Sequence, residues 1–256
     1  MSSNKSTEIQ TLSNWQVFVL RFTAFYSPDE TFDSSGWWAE VTGDLPETET
    51  KKLKEGIIIE EGPFRDGKLT LVKSEVAIDL RLHLPDKPEE VDGIPTVGSF
   101  EKQYPEFVSL VKKLFDVTTF PLVTRLAFGS IINLPTKDQQ EGYKQLSAYI
   151  KNVKIDPVKS RDFIYRINRR RASTTGIDNL EINRLNSWSV ASFSTAILSI
   201  PTSAKTRTAN CYACRLEIDI STCQEFQNHL PKGKLSEIFD ELVDMGKEII
   251  TQGDIE

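Results

Sequence analysis

Short apolar runs and alternating runs divide much of the chain into predicted strands. Residues 15–26 (WQVFVLRFTAFY) are almost all apolar, β-branched or aromatic, which predicts a strand buried on both faces at the centre of a sheet. Residues 75–84 alternate instead between apolar and mostly charged positions, which predicts a strand with one wet face. An Arg-Asp-Gly turn at residues 65–67 separates the apolar runs 56–61 and 68–73 and predicts a β-hairpin.

Apolar side chains spaced three to four residues apart predict three helices. The first covers residues 104–115, the second and weaker one covers residues 138–150, and the third begins at Leu235 and carries a continuous apolar stripe. Residues 123–134, between the first two helices, are predicted as a strand. Residues 152–160, after the second helix, are predicted to return the chain to the sheet. The last helix is thus amphipathic and is expected to pack on the sheet.

Four more strand-like runs precede the last helix: residues 162–171, 179–186, 188–199 and 210–220. Because consecutive strands are joined by short turns, antiparallel pairing is favoured over a doubly wound parallel sheet. We therefore predict an α+β fold with a largely antiparallel sheet and about three helices. One integrated domain spanning residues 1–256 is the preferred interpretation, and a division into two lobes near residues 135–150 is the alternative.

The charge of the chain is acidic overall but segregated. The formal net charge is −6 and the isoelectric point is near 5.2, which argues against a general nucleic-acid coat or a membrane-surface protein, since both need a basic field. Residues 159–184 nevertheless contain seven Lys/Arg and three acids, whereas residues 29–61 contain ten acids and three lysines. Any site for an anion must therefore be local.

The beginning of the sequence and its cysteines suggest a compartment. The first fifteen residues, MSSNKSTEIQTLSNW, are polar and lack the apolar core of a signal peptide. No apolar run approaches the roughly 20 residues that span a bilayer. Cys211, Cys214 and Cys223 are too few for a disulfide scaffold and fit a reducing environment. We therefore expect a cytoplasmic protein without a membrane span.

Local motifs for catalysis or cofactor binding are absent from the sequence. There is no Walker loop, no G-x-G-x-x-G and no G-x-S-x-G, and the only histidines are His83 and His229. Cys211 and Cys214 form a lone C-x-x-C, but Cys214 continues the apolar face of its strand, which predicts a core cysteine and not a zinc ligand. We expect no cofactor and no metal, and an enzymatic role is open but not favoured.

Paired carboxylates are the remaining enzymatic option. Glu217 and Asp219 are two residues apart in a predicted strand and therefore share a face, where they could hold Mg²⁺ for hydrolytic chemistry. Arg215 lies on the same face, and the strand at residues 75–84 repeats this mixture of charges. Alternating opposite charges are typical of the wet side of an antiparallel sheet, so the structural interpretation is preferred.

The most unusual stretch is residues 163–188, which contain Ile-Asn-Arg twice and three consecutive arginines. The midpoint of the repeat falls in a polar loop, so a symmetric hairpin places Asn168 opposite Asn183 and Arg170 opposite Glu181. The repeat is then mainly what a half-buried hairpin requires.

The arginines on the core side of this hairpin need partners. Arg169 and Arg171 fall on that side, where unpaired charge is costly. They either leave the core, pair with acids of residues 29–61 or of the last helix, or bind a ligand such as phosphate or carboxylate. The candidate binding residues are Arg166, Asn168, Arg169, Arg170, Arg171, Asn183 and Arg184.

Two adjacent tryptophans, Trp37 and Trp38, occur in a stretch without strand or helix periodicity. Two large apolar rings are rarely left fully exposed to solvent, so we expect them either to pack in the core or to contact a partner protein. Core packing is the preferred interpretation because buried aromatic side chains usually contact their own chain.

Several segments carry a resemblance to known sequences: RLAFG at residues 125–129, the INR repeat, LEINRLNSW at residues 180–188 and CRLEIDIST at residues 214–222. Together they resemble sporadically distributed bacterial proteins with no assigned activity. The resemblance implies a bacterial accessory protein and assigns a role to no residue.

Two functional hypotheses follow. The first is a non-enzymatic binding or assembly subunit of a bacterial intracellular complex, which contacts another protein subunit through the hairpin at residues 166–171. The alternative is a nucleic-acid or nucleotide-binding protein that uses the same arginines, with metal-dependent hydrolysis at Glu217 and Asp219. The sequence does not specify the oligomeric state or the natural ligand.

Overall fold

The computed structural model describes residues 9–85, 93–196 and 208–255. Within these residues a single antiparallel sheet has the strand order β2-β3-β4-β5-β1-β6-β9-β8-β7. The strands are β1 (Gln16–Tyr26), β2 (Thr48–Lys52), β3 (Ile57–Phe64), β4 (Gly67–Lys73), β5 (Ala77–His83), β6 (Val123–Thr136), β7 (Ile164–Ala172), β8 (Glu181–Ala196) and β9 (Thr208–Thr222). The helices are α1 (Trp37–Thr42), α2 (Phe100–Asp116), α3 (Gln139–Tyr149) and α4 (Leu235–Gln252). The predicted α+β fold is thus confirmed.

All four helices pack against one face of the sheet. Aromatic rings mark the centre of this core: Phe22 of β1 meets Phe239 of α4 with ring centroids 5.3 Å apart and Phe115 of α2 with centroids 5.4 Å apart. The predicted stripe of α4 is buried there, which confirms its packing on the sheet. Among the described residues, no helix is long and apolar enough to cross a membrane.

The opposite face of the sheet is not covered by any of these helices. Strand β1 is central, as predicted, and its Leu20 and Phe22 are fully buried on the helix side. On the other side Arg21 is exposed and Phe25 is half-buried. The prediction that this strand is buried on both faces is therefore wrong, because the helices in the described part of the chain all lie on one side of the sheet.

Two further expectations about strands are corrected, and one strand was not predicted. Residues 152–160 contain no strand and form turns, where the Asp156 carboxylate accepts the backbone N–H of Val158 (3.0 Å). The predicted runs 179–186 and 188–199 form one continuous strand, β8, and residues 197–199 lie outside the described residues. Strand β2 was not predicted because its sequence TETKK is fully exposed and carries no apolar pattern; it forms by pairing with β3.

Trp37 and Trp38 belong to the short helix α1, and both are buried. The Trp37 ring stacks on Phe32 with centroids 5.2 Å apart, and its Nε1 donates to the Thr119 hydroxyl (2.9 Å). The Cβ of an alanine at Gly62 would lie 3.0 Å from the Trp38 ring, so Trp38 packs directly on β3. The core-packing interpretation is confirmed.

The β7–β8 hairpin forms, but its register differs from the symmetric prediction by two residues. Asn168 lies opposite Leu185, and Arg170 lies opposite Asn183. The connecting loop is centred one residue later than expected, with Gly176 at φ +75°. Because side chains alternate with a period of two, an even shift leaves every residue on its predicted face.

Candidate functional site

The arginines of β7 are divided between the two faces of the sheet. Strand alternation directs Arg169 and Arg171 toward the helix layer, together with Arg184 of β8, which pairs with Arg169 in the ladder. Arg166 and Arg170 lie on the uncovered face, together with Asn168 and Asn183. The seven candidate binding residues therefore do not form one surface.

The arginines on the helix side are neutralised by acids of α4 and of the residues just after it. Arg169 donates through Nε and Nη2 to the two carboxylate oxygens of Asp254 (2.9 and 3.0 Å). Arg171 and Arg184 both reach Glu248 (2.9 and 3.0 Å). The Asp254 and Arg184 side chains are only 1% and 2% exposed. Pairing of core-side arginines with the end of the last helix, one of the alternatives left open by the sequence, is what the structure shows.

Burial and charge shift the protonation equilibria of this cluster. Hydrogen bonds from Arg169 lower the pKa of Asp254, so its carboxylate stays ionised. Burial, reinforced by the repulsion of Arg171, lowers the pKa of Arg184, and the attraction of Glu248 opposes this shift. Burial also raises the pKa of Tyr165, and so does its hydrogen bond to Asp254 (2.5 Å). The cluster is a closed ionic network that joins the hairpin to the end of α4.

Arg170, Asn168 and Asn183 are also used internally, although they lie on the uncovered face. The Asn183 side-chain oxygen accepts from Asn168 Nδ2 (2.9 Å) and from Arg170 Nε (3.2 Å). Arg170 is further bonded to Glu225, which raises the pKa of Arg170 and lowers that of Glu225. Arg166 differs, because no side chain in the described part of the chain forms an ion pair or hydrogen bond with it.

Arg166 instead lines a groove on the uncovered face of the sheet. The groove has a volume of about 580 Å³ and lies across β7, β8, β9, β6 and β1. Its charged lining residues are Arg21, Arg125, Arg166, Glu217 and Asp219. The structure thus brings together one of the predicted arginines and both predicted carboxylates, which sequence alone assigned to separate strands. Volumes of roughly 300–1,000 Å³ are usual for ligand sites.

The floor of the groove is low because Gly129 of β6 has no side chain. Gly129 lies between Arg21 of β1 and Asp219 of β9 in the strand ladder. A Cβ at this position would meet the Arg21 Cβ and the Ile218 carbonyl oxygen at 3.6 Å, which is ordinary van der Waals contact. The backbone does not require glycine here, so the absence of a side chain matters chiefly for the shape of the groove.

Two of the three groove arginines are held in place by the fold. Arg21 Nε donates to the buried carboxylate of Asp79 (2.6 Å). Arg125 donates to the Thr222 carbonyl (3.1 Å), and its guanidinium lies 5.0 Å from the centre of the Phe25 ring. Arg21 is therefore paired with a carboxylate of the chain, whereas Arg125 is held by uncharged groups and provides a fixed positive charge at one side of the groove.

The two acids of the groove and its third arginine, Arg166, are more available for contact with a ligand. Asp219 is exposed and forms no ion pair or hydrogen bond with the part of the chain that the structure describes. Glu217, also exposed, accepts from Arg215 (2.8 Å). Together with Arg166, Asp219 gives the groove one free charge of each sign.

Sequence reasoning missed Arg21 and Arg125 as site residues. Arg21 is the only charged residue in the apolar run 15–26, and this was the available signal. Its place beside Gly129 and Asp219 depends on the order of β1, β6 and β9 in the sheet, which the strand pattern does not specify.

The cysteines do not contribute to the groove. Cys214 is fully buried, as predicted for a core cysteine, and burial raises its pKa. Cys211 lies three residues earlier in β9, on the opposite face of the strand. In residues 9–85, 93–196 and 208–255, no group of three or more His, Cys, Asp or Glu side chains is arranged to hold a metal ion.

Comparison with known proteins adds no functional residue. No protein-family model matches the chain, and no curated protein matches it. The function is therefore inferred from the uncovered face and its groove.

Proposed function

We propose that the protein is a non-enzymatic binding or assembly subunit that contacts a partner protein through the uncovered face of its sheet. The observation that carries this proposal is the groove on that face, which contains an unpaired Arg166 and an unpaired Asp219 among the described residues. Half-buried apolar side chains surround these charges, among them Val19, Ile131 and Leu185. Apolar positions interspersed with arginine are common in protein interfaces.

The uncovered face is large enough for a specific interface. Nine strands about 4.8 Å apart give a face roughly 40 Å wide. A standard interface buries about 800 Å² per partner, which corresponds to a footprint of roughly 40 by 20 Å. The contact surface proposed from the structure is this face, with Arg166 as its link to the hairpin surface expected from the sequence.

Charge distinguishes a protein partner from a nucleic acid. Glu217 and Asp219 would repel phosphates brought into the groove, and Arg169 and Arg171 are already bonded to acids of the fold. A protein surface can present both signs of charge. The three free cysteines and the resemblance to bacterial accessory proteins support a cytoplasmic complex of a bacterial cell as its setting.

A second candidate, binding of a nucleic acid or nucleotide, is favoured by one observation. Arg21, Arg125 and Arg166 converge on the groove, and three guanidinium groups are a common arrangement for phosphate recognition. This candidate requires binding that weakens steeply as salt rises.

The experiment is affinity capture of the tagged protein from its host, with low-salt and high-salt washes and analysis of the eluate for both protein and nucleic acid. The variants are Arg166→Ala and its matched control Arg170→Ala, which changes an exposed arginine on the same face of the same strand but outside the groove lining. We expect a stoichiometric protein partner that survives high salt, is lost with Arg166→Ala and is retained with Arg170→Ala. Equal retention by both variants would contradict the groove as the contact site, and nucleic acid alone, released by salt, would favour the second candidate.

A further inference from the structure

The described chain folds as two halves that share one topology. Each half consists of a strand, a helix, a meander of strands and a second helix: β1, α1, β2–β5 and α2 in the first half, and β6, α3, β7–β9 and α4 in the second. In both halves the first strand lies at the centre of the sheet, the last strand of the meander pairs with it, and the strand after the first helix lies at the sheet edge. An approximate two-fold axis between β1 and β6 therefore relates the two halves.

Short sequence matches show which residues of the two halves are equivalent. The matching segments are residues 20–22 (LRF) and 126–128 (LAF) in the central strands, and residues 78–80 (IDL) and 218–220 (IDI) in the strands beside them. Their cross-strand register is also the same, because Thr23 lies opposite Asp79 in the first half and Gly129 lies opposite Asp219 in the second. Asp219 is therefore the counterpart of Asp79.

In the first half, this aspartate binds two guanidinium groups of its own chain. Arg21 Nε donates to Asp79 Oδ2 (2.6 Å), and Arg81 Nε donates to Oδ1 (2.5 Å). The Thr23 hydroxyl donates to Oδ2 (3.1 Å). The Asp79 side chain is only 7% exposed, so these donors replace water around its charge.

The second half has small side chains at the positions of these three donors. The counterparts of Arg21, Thr23 and Arg81 are, in that order, Ala127, Gly129 and Ser221. Asp219 is exposed, and no described residue forms an ion pair or a hydrogen bond with it. Ala127 and Gly129 line the groove together with Asp219, so the groove lies over the positions from which Arg21 and Thr23 reach Asp79 in the first half. The second half thus has the carboxylate without its cationic partners.

We infer that the groove binds an arginine side chain of the partner protein, whose guanidinium bonds Asp219 as the Arg21 guanidinium bonds Asp79. This inference rests on the proposed function and specifies the residue by which the partner is recognised. Arginine is favoured over lysine, because a guanidinium presents paired N–H donors to a carboxylate and an ammonium is a point charge.

The surroundings of Asp219 suit such a side chain. Glu217 lies two residues away on the same face and adds a second carboxylate to the groove. The half-buried side chains of Val19 and Ile131 line the same groove, where the methylene stem of an arginine can pack. Arg21, the nearest arginine in the cross-strand row, is bonded to Asp79 on the far side of β1, which leaves the space above Gly129 open.

The first test is an NMR titration of the whole chain with N-acetyl-arginine amide, followed at the backbone amides of Gly129 and Asp219. We expect saturable shifts, at least about threefold weaker binding of the lysine analogue, and no binding of the citrulline analogue, which keeps the shape without the charge. Asp219→Asn should abolish binding. The matched control is Glu181→Gln, an exposed acid on the same face outside the groove lining, which should bind as the parent chain does. Absence of saturable binding, or equal binding by Asp219→Asn, overturns the inference.

The second test gives the second half the arginine of the first. In Ala127→Arg the new side chain takes the position equivalent to Arg21 and should bond Asp219, so binding of the arginine probe should be lost while the thermal midpoint stays the same or rises. Unchanged probe binding by a folded Ala127→Arg would contradict the equivalence of the two aspartates. If this variant does not fold, Asp219→Asn decides.

Capture of the partner separates this inference from the proposed function. A partner protein lost with both Asp219→Asn and Arg166→Ala supports both. A partner that depends on Arg166 and is retained by Asp219→Asn overturns the arginine inference and leaves the proposed function standing. If the arginine probe binds through Asp219 but no captured protein depends on Asp219 or Arg166, the proposed function and the partner arginine are both wrong, and the site takes a small guanidinium compound.

Discussion

Arg166 and Arg169 lie three residues apart in the same strand, and the fold uses them in opposite ways. Arg169 faces the helix layer and is held by both oxygens of Asp254, whose side chain is 1% exposed. Arg166 faces the uncovered side, lines the groove and has no partner among the described residues. Where the described helices cover a sheet on one side, an arginine that faces them must be neutralised within the chain, whereas an arginine on the other side stays available for binding.

The same division holds for the whole hairpin. On the helix side, Arg171 and Arg184 share Glu248 and depend on one another through it. On the uncovered face, Arg170 is bonded to Glu225, and Arg166 lines the groove. Substitutions on the two sides should therefore differ in kind, affecting stability on one side and binding on the other.

The largest expected effect is the loss of Glu248. Glu248→Ala leaves Arg184 buried without its carboxylate partner, and removing one member of a buried ion pair costs about 3 kcal/mol or more. Equilibrium urea unfolding would measure this difference. The matched control is Asp240→Ala, also in α4, whose partner Lys112 is 40% exposed, and there the loss should stay below about 1 kcal/mol.

A double variant that restores stability tests the cause of the Glu248→Ala destabilisation. Glu248→Leu combined with Arg184→Met replaces the buried pair by apolar side chains and should recover much of the lost stability, because well-packed hydrophobic replacements avoid the desolvation of both charges. If the double variant is as unstable as Glu248→Ala, the destabilisation does not come from an uncompensated Arg184 charge.

The next largest effect is a pH-dependent loss of stability when Asp254 is replaced. Its pKa is lowered in the folded protein, so ionised Asp254 stabilises the fold fully above its ordinary pKa of 3.8, and this stabilisation disappears as pH falls through the lowered value. Asp254→Asn should therefore be about 2 kcal/mol less stable than the parent chain at neutral pH, with the gap closing below pH 3.8. Urea midpoints measured from neutral pH downward test this expectation, and a gap that stays constant would argue against it.

On the open side, Arg166→Glu should affect binding and not folding. Exposed substitutions usually change stability by less than about 0.5 kcal/mol. Charge reversal in the groove should weaken partner affinity at least about tenfold, or about 1.4 kcal/mol. Partner titration and urea unfolding of the same preparation would show both quantities, and a marked drop in stability would mean that Arg166 has a structural partner.

The smallest effect is expected for Arg170→Ala. This arginine is exposed and bonded to Glu225 at the hairpin end, away from the groove lining. Its loss should leave the partner affinity unchanged, and the unfolding midpoint should shift less than for any variant of the helix side. A partner that dissociates from Arg170→Ala would extend the contact surface to the whole open face of the hairpin.

The sequence predicted the face of the sheet on which a residue lies better than it predicted which residues lie beside it. Alternation placed Arg169 on the core side and Arg166 on the wet side correctly, although the register was wrong by two residues, because a period of two is insensitive to an even shift. Strand β2 was missed because its stabilisation comes from pairing with β3 and not from burial of its own side chains. Local pattern gives no signal for such a strand.

The groove was predictable only in part. Glu217 and Asp219 share a face by simple alternation, and this could be derived from β9 alone. Their position beside Gly129 and Arg21 requires β9, β6 and β1 to be adjacent, although these strands are distant in sequence. The shape of the site also depends on a missing side chain at Gly129, which becomes informative only when its neighbours are known.

The most direct test of the division between the two faces compares Arg166→Ala and Arg169→Ala in two measurements, partner binding and urea unfolding, on the same preparations. Arg166→Ala should lose the partner and unfold at the parent midpoint. Arg169→Ala should unfold at lower urea, because the buried Asp254 carboxylate loses the arginine that neutralises it, yet it should bind the partner while it is folded. The reverse pattern, in which Arg169→Ala releases the partner at full stability and Arg166→Ala retains it, would contradict the assignment of binding to the uncovered face.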